Sequence, residues 1–463
     1  MIERFIKNKW LGAIFLYVLC AISYYDVLSH DLMIDDVQFI APQQFLPSLS
    51  LSYYLSHTPS MHFSPGYYIF NLAAFQMFGN DPVALHAINI FLHGANAALF
   101  LVLVNVLTGK PAVSLMAALI FLLHPVNAFT VNYITANFIL LSSLCSLLSL
   151  IFFSRYARSG ARGRLMASYA FFFLGLLNFE GGLLIPLYIL GILWLIEQRP
   201  FRAILKDLAP YLLLTAGYVF LWFMTASANA PIADKLIAQN ISFVDYLSAY
   251  GRLIGWYAGK LFHAAGVVYI YNLPAVAGNG AALSLAGTAA AFIGLLWMCL
   301  KKRNIVSFAL LWLMSGFLLV FPAIATHVNA MGFVIEPHWL YFNSMGFCLL
   351  FANAFLAGKR FFEPRSMALI GSCLLLYLLV MTKYTNALSQ NEERYYEYWL
   401  RASPGNAIAR ENLASLYIWD ETASVEPDLI NEMRIQVNNY ETAGNASNAA
   451  LLMRRIETSP SFR

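Results

Sequence analysis

Charge is what this chain has least of. Only 11% of its 463 residues are Asp, Glu, Lys or Arg, whereas soluble domains carry about a quarter. Hydrophobic residues make up 60%, and the mean hydropathy is +0.64. A soluble globular fold is thereby excluded for most of the chain. Cysteine is also scarce. The five present (Cys20, Cys145, Cys299, Cys348 and Cys373) all lie in apolar stretches, so they carry no information on disulfides or redox compartment. The motifs GxxxxGK[ST], HExxH, paired CxxC and GxSxG are absent. Any enzyme built on this chain has to be an integral-membrane one.

What the chain does contain is a succession of apolar runs. Runs near 10–28, 83–107, 112–128, 134–154, 165–178, 182–197, 208–226, 279–300, 304–323, 338–357 and 366–384 have about the length of a membrane-crossing helix. The expected fold is an all-α polytopic membrane protein with about 11 such helices. Two further apolar stretches, 65–78 and 246–268, fit as interfacial or re-entrant helices. Basic residues test this topology. Of the 21 before residue 385, 17 fall on one side; only Lys235, Arg252, Lys260 and Lys383 fall on the other. Counting 246–268 as a full span would move Lys301, Lys302 and Arg303 to the wrong side. The N-terminus is expected in the cytoplasm and the C-terminus opposite. The basic surplus follows from orientation, so nucleic acid is not an expected partner. The first span lacks a small-residue cleavage site after it and reads as a retained helix.

Composition changes after residue 384, where residues 385–463 hold 18 of the 52 charges. Two domains are expected: a transmembrane catalytic domain, 1–384, and a small helical extracytoplasmic tail, 385–463. Ionisable groups away from the cytoplasm are the informative ones, because a charge near lipid is costly. Nine of the 13 acidic residues before 385 lie there: Asp26, Asp31, Asp35, Asp36, Asp81, Glu180, Asp234, Asp245 and Glu336. His62, His86, His93, His124, His327 and His338 share that side. Each has a plain structural alternative: His86 and His93 as buried helix residues, His124 before Pro125 as a span end, Glu180 as a solvated turn. Asp35 and Asp36 serve equally as a solvated loop or a helix N-cap.

The order of motifs resembles the GT-C superfamily of integral-membrane glycosyltransferases, in particular bacterial relatives of the transmembrane and tetratricopeptide-repeat O-mannosyltransferases. The resemblance begins at MIDDVQFIAPQQ. It continues through HFSPGYYIFNLAAFQMFGNDPVALHAINIFLHGANAALFLVL, FLLHPVNAFTVNYITANFILLSSL and NFEGGLLIPLYIL to EPHWLYFNSMGF, spanning roughly residues 30–350. It implies a polyprenyl-phosphate monosaccharide as donor, a hydroxyl acceptor on a protein, lipid or glycan, and an aspartate of the first loop, Asp36 or Asp35, as general base. Arg252, Lys260 and His338 are the expected donor-phosphate ligands, since a phosphate leaving group needs cationic or N–H donors. His62, His124, Glu180, Glu336 and Tyr341 are expected to line the site. No metal or other cofactor is expected. The chain departs from the family pattern at Ser64 and Asn137, where relatives carry arginine, and at Phe129, where they carry glutamate. Those departures imply another sugar or acceptor, or phosphate binding moved to Arg252, Lys260 or His338. The tail segment RASPGNAIARENLASLYI resembles the opening helix of a tetratricopeptide repeat, expected to cap the catalytic face or touch the acceptor.

A transporter or flippase of a lipid-linked sugar is the main alternative. The chain shows no two-half symmetry, and its acids gather at one face rather than at mid-membrane, which favours chemistry. An assembly protein acting through the tail would leave the acidic pair without a role. A bacterial inner membrane is the expected location, the sequons at Asn240 and Asn445 being too common to indicate the endoplasmic reticulum.

Overall fold

The computed structural model describes residues 9–33, 36, 63–225, 241–263, 271–273, 281–326, 328–329, 332–419 and 425–459. The membrane part runs through α1 (Lys9–Tyr24), α2 (Pro65–Phe78), α3 (Pro82–Thr108), α4 (Pro111–Leu123) and the short α5 (Ala128–Asn132). It continues with α6 (Asn137–Ser159), α7 (Arg162–Leu176), α8 (Ile185–Gly191), α9 (Phe201–Thr225) and α10 (Phe243–Phe262). After β1 (Tyr271–Leu273) come α11 (Ala281–Lys301), α12 (Ile305–Thr326), β2 (Val328–Asn329), β3 (Gly332–Ile335), α13 (Tyr341–Ala357) and α14 (Pro364–Leu388). The tail holds α15 (Glu392–Ala402), α16 (Ala407–Trp419), α17 (Ile430–Thr442) and α18 (Ala446–Thr458).

The protein is an all-α polytopic membrane protein. Among the described residues seven helices are long and apolar enough to cross a bilayer, or eight if Pro111–Leu123 and Pro125–Asn132, bent by 52°, form one span. All 11 expected runs fall on helices, but two are short, Arg162–Leu176 and the apolar stretch Glu180–Ile196, and of the 21 residues of α11 the stretch counted as apolar is Leu285–Lys301. A 15-residue helix reaches only about 22 Å, less than the ~30 Å hydrocarbon core. The interfacial expectations at 65–78 and 246–268 correspond to α2 and α10, neither of which is among the seven.

Helix α3 is the axis of the bundle, packed on α1, α4 and α6. Its ends are written locally: the Asp81 carboxylate accepts from Val83 N–H at 3.0 Å with Pro82 at the first helical position, and Gly109 closes it at φ 64°. In lipid the hydrophobic effect does not separate helix from helix, so close packing and interhelical hydrogen bonds hold them together. Ser149 and Ser168 exchange hydroxyl–carbonyl bonds of 2.9 and 2.8 Å between α6 and α7. On α13, a Cβ at Gly346 would sit 2.5 Å from Leu313 N and 2.7 Å from Ala309 O of α12. Neither backbone atom can yield without parting the helices. Gly346→Leu is therefore expected to abolish recovery of monodisperse protein in detergent; a wild-type elution profile would show that α12 and α13 can separate freely.

The chain also carries a small antiparallel sheet of order β1-β3-β2, pairing Tyr271 with Ile335 and Val328 with Phe333, which the helix-only expectation lacked. Its short strands alternate too briefly to stand out among apolar spans. Its consequence is positional, because β3 runs straight into Glu336 and His338.

In the tail α15 pairs with α16 and α17 with α18, giving two helical hairpins joined through α16. The segment 401–418 supplies the turn and second helix of the first hairpin, not its opening helix; that role falls to the aromatic α15. Asn391 and Asn445 cap α15 and α18 by accepting from the Arg394 and Asn448 amides at 3.0 and 3.3 Å. Tyr395, Trp399, Leu413, Tyr417, Met433 and Leu452 form the core. Arg401 pairs with Asp428 at 2.7 Å, a contact that holds the Asp428 carboxyl below its ordinary range, and Arg410 pairs with Glu432 at 2.7 Å. Trp399 is 1% exposed. Its replacement by alanine is expected to cost about 3–5 kcal/mol, read as new protease cleavage between α15 and α18. Unchanged resistance of that segment would contradict the packing described.

Candidate active site

The break between α4 and α6 builds the site. Residues 124–136 run as a 3-10 turn (Pro125–Asn127), α5 and a second 3-10 turn (Ile134–Ala136). Irregular backbone at membrane depth needs side-chain partners, and this segment has them. His124 Nδ1 accepts from Val126 N–H at 3.2 Å, and its Nε2 meets Leu261 O at 3.0 Å. Asn127 donates to Phe121 O at 2.8 Å and accepts from Ser344 Oγ at 3.2 Å. Asn89 of α3 donates to Tyr133 O at 2.8 Å, with Val131 O and Ile134 O at 3.3 and 3.4 Å.

With its carbonyls held from within, the second 3-10 turn offers free amides outward, and Asp36 takes them. Its Oδ1 accepts from Thr135 N–H at 2.8 Å and its Oδ2 from Ile134 N–H at 3.2 Å. Its own N–H donates to Met33 O at 2.9 Å. The side chain is 1% exposed. Burial pushes the carboxyl up to about 7, against the stabilising pull of the Thr135 and Ile134 donors. The carboxylate therefore caps the amides of a turn 98 and 99 residues away, rather than the start of a helix of its own. The Thr135 side chain adds a further stabilising hydrogen bond to the carboxylate.

Other groups converge on the same turn. His338 Nε2 lies 2.9 Å from Glu336 Oε2, and the His338 ring lies 6.3 Å from those of both Tyr133 and Phe138. Phe138 also meets Phe179 at 5.0 Å, which places Glu180, the next residue, beyond it. Glu180 acts on Tyr68 of α2, whose phenol is raised first by burial and then by that carboxylate. Helix α2 is sutured in place by Asn137 Nδ2 donating to Asn71 Oδ1 at 2.8 Å, Gly66 N–H to Leu177 O at 2.8 Å, and Tyr218 Oη to Phe63 O at 2.9 Å. The Glu336–His338 pair thus lies against Tyr133, next to the turn whose amides hold Asp36, while Glu180 lies toward Tyr68 and Tyr218.

Helix α10 joins this assembly through Tyr257 Oη, which donates to Glu336 O at 2.5 Å, and through the Leu261–His124 contact. It carries Arg252 and Lys260. Lys260 stands 5.7 Å from the Trp256 ring, and partial burial lowers its pKa.

Two expected lining residues belong elsewhere. Tyr341, 1% exposed, is bonded to His93 Nδ1 at 2.7 Å and Asn96 Nδ2 at 3.3 Å inside the bundle. His124 is 2% exposed with both ring nitrogens engaged by backbone. Both hold helices together. Asp35 and His62 lie outside the described residues. Conversely, the Ile134 and Thr135 amides, Asn89, Asn137 and Tyr133 had no sequence signal beyond the asparagines of NYITAN. Among the described residues no group of three or more His, Cys, Asp or Glu side chains is placed to hold a metal ion.

No protein-family model matches the chain. A relative does. The chain is similar to the mouse protein O-mannosyl-transferase TMTC4, with 24% identity over 393 residues, covering 72% of this chain and 52% of the relative. It thus spans about half the length of the curated relative it matches.

Proposed function

We propose that this protein is a glycosyltransferase that moves a monosaccharide from a polyprenyl-phosphate donor to a hydroxyl acceptor at the extracytoplasmic membrane face. The observation that carries the reading is Asp36: a buried carboxylate held by the Ile134 and Thr135 amides and raised by burial to about 7, with the Glu336–His338 pair against the neighbouring Tyr133. Perturbed carboxyls of this kind mark sites of proton transfer. Similarity to a protein whose name is O-mannosyl-transferase supports the same class.

In the proposed reaction the acceptor oxygen bonds to the anomeric carbon as the bond from that carbon to the phosphate oxygen breaks. Asp36 takes the hydroxyl proton, and the polyprenyl phosphate leaves with the electron pair. Asp35 is the second candidate base. Arg252, Lys260 and His338 supply positive charge or N–H donors for the leaving phosphate. Buried acceptors such as Asn137 Oδ1, without a hydrogen-bond partner among the described residues, suit sugar hydroxyls. With no metal in the scheme, EDTA is expected to leave transfer unchanged; loss of activity restored by Mg2+ or Mn2+ would sink the metal-free mechanism.

The deciding experiment uses purified protein in liposomes with radiolabelled polyprenyl-phosphate mannose and a serine- and threonine-rich peptide. Label is expected in the peptide, in alkali-sensitive linkage. Translocation of the labelled lipid with no transfer to any hydroxyl would replace the enzyme by a flippase.

A further inference from the structure

We propose that the C-terminal helical unit is a positioning element for the Asp36 carboxylate, acting through the turn at 128–136. This rests on the reading of Asp36 as the base.

The argument starts from what holds the two amides. Residues 125–136 form three short helical pieces rather than one continuous helix, so the direction of the Ile134 and Thr135 N–H groups depends on outside support. On the inner side that support is Asn89, reaching three carbonyls of the turn. On the other side it is the tail. Phe129, Tyr133 and Ala136 are buried in the same apolar cluster as Tyr395, Tyr396, Trp399 and Leu400 of α15. The Phe129 and Tyr395 rings meet edge-on with centroids 6.4 Å apart. Met33 packs against that cluster too, and its carbonyl accepts the Asp36 N–H. Both the loop that bears the carboxylate and the turn that binds it therefore lean on the tail. A third tie comes from Asn386 at the end of α14, whose Oδ1 accepts from Asn132 Nδ2 at 3.2 Å and whose amide reaches Asp26.

The charged and titratable groups around this arrangement come from several elements. Glu336 and His338 lie over Tyr133, His30 and Asp31 precede Asp36 in its own loop, and Asp26 pairs with Lys383 behind Asn386. Helix α15 brings Glu392, Glu393 and Arg394 in its first turn, with Tyr395 and Tyr396 next. None of these forms an ion pair with Asp36. Its protonation is governed first by exclusion of water and then by hydrogen bonds with Thr135, through both amide and side chain, and with the Ile134 and Met33 backbone. The tail packs on Tyr133, Ala136 and Met33 around them.

The test uses the full chain in lipid nanodiscs. Tyr395→Ala loosens the contact from the tail side, Phe129→Ala from the turn side with every tail side chain intact, and Tyr395→Phe keeps the ring. Two readouts are taken: hydrogen exchange at the Ile134 and Thr135 amides, and the pH profile of transfer from radiolabelled polyprenyl-phosphate mannose. Both alanine variants are expected to speed exchange at least tenfold and to lower kcat about tenfold. They should also move the midpoint of the pH profile downward, as water reaches the carboxylate. Tyr395→Phe should match wild type. Unchanged exchange in both alanine variants overturns the proposal. Faster exchange with an unmoved midpoint also overturns it, reducing the tail to a support for folding. The base reading fails separately: wild-type transfer by Asp36→Asn would remove it whatever Tyr395→Ala does.

Discussion

Asp36→Asn is expected to lower the specific rate of sugar transfer by at least about 100-fold, the lower end of what a positioned general base contributes. The amide is isosteric and can still accept from one backbone N–H, but it cannot take a proton at neutral pH. Its NH2 group must also point toward either the Ile134 or the Thr135 N–H, donor against donor, at the positions now bonded at 3.2 and 2.8 Å. Such a mismatch costs about 1–3 kcal/mol, so the yield of folded protein should fall as well. The two effects separate cleanly. Instability lowers the amount of monodisperse protein, whereas loss of the base lowers the rate per folded molecule. The measurement is initial transfer rate normalised to the monodisperse fraction. A variant within a few-fold of wild type would leave Asp36 as an N-cap and nothing more, and Asp35→Asn would become the variant to examine.

The second large effect is on pH. Because burial raises the Asp36 carboxyl to about 7, the active, ionised form becomes the minor one below neutrality. Transfer should fall about tenfold per pH unit below ~6.5 and level off above ~8, with the acidic limb absent from whatever rate Asp36→Asn retains. A limb centred near 4, the ordinary carboxylate range, would mean that Asp36 is solvated in the working enzyme.

Stability runs the other way. Between roughly pH 4 and 7 the folded chain holds a proton on Asp36 that the unfolded chain releases, so this group's contribution to stability decreases as pH rises through that window. For a carboxyl displaced from near 4 to about 7 the change is on the order of 4 kcal/mol. His30 opposes it. Burial lowers that imidazole to about 4, so its contribution is present above the unfolded value of 6.5 and is lost as pH falls toward 4. If Asp36 acts as the proposed base, it is ionised despite its burial at the pH of transfer.

Particular residues show where sequence reading reached its limit. The acidic pair, Glu180 and the Glu336–His338 segment were picked out by charge in an apolar chain; Asp36 bonds the Ile134 and Thr135 amides and His338 lies against the adjacent Tyr133. The stretches at 65–78 and 246–268 were legible as distinct from the spans: Pro65–Phe78 and Phe243–Phe262 are helices, and neither is among the seven long and apolar enough to cross. His124 and Tyr341 were equally conspicuous, yet they bind backbone and core side chains inside the bundle. A buried polar residue in a membrane protein looks the same in sequence whether it serves a substrate or satisfies a broken helix. Charges repelled from lipid, by contrast, leave a pattern that local composition records.

What the sequence determined alone was therefore the class, the number of apolar runs and the existence of a polar tail, since each follows from hydropathy and charge counted along the chain. The tertiary structure alone decided that Asp36 is held by the Ile134 and Thr135 amides, that Asn89 holds that turn from within, and that the tail packs onto Phe129 and Tyr133. Those contacts join residues about 40 to 270 positions apart, and backbone amides carry no side-chain signature. Their meeting is settled by how helices pack, which no local pattern encodes.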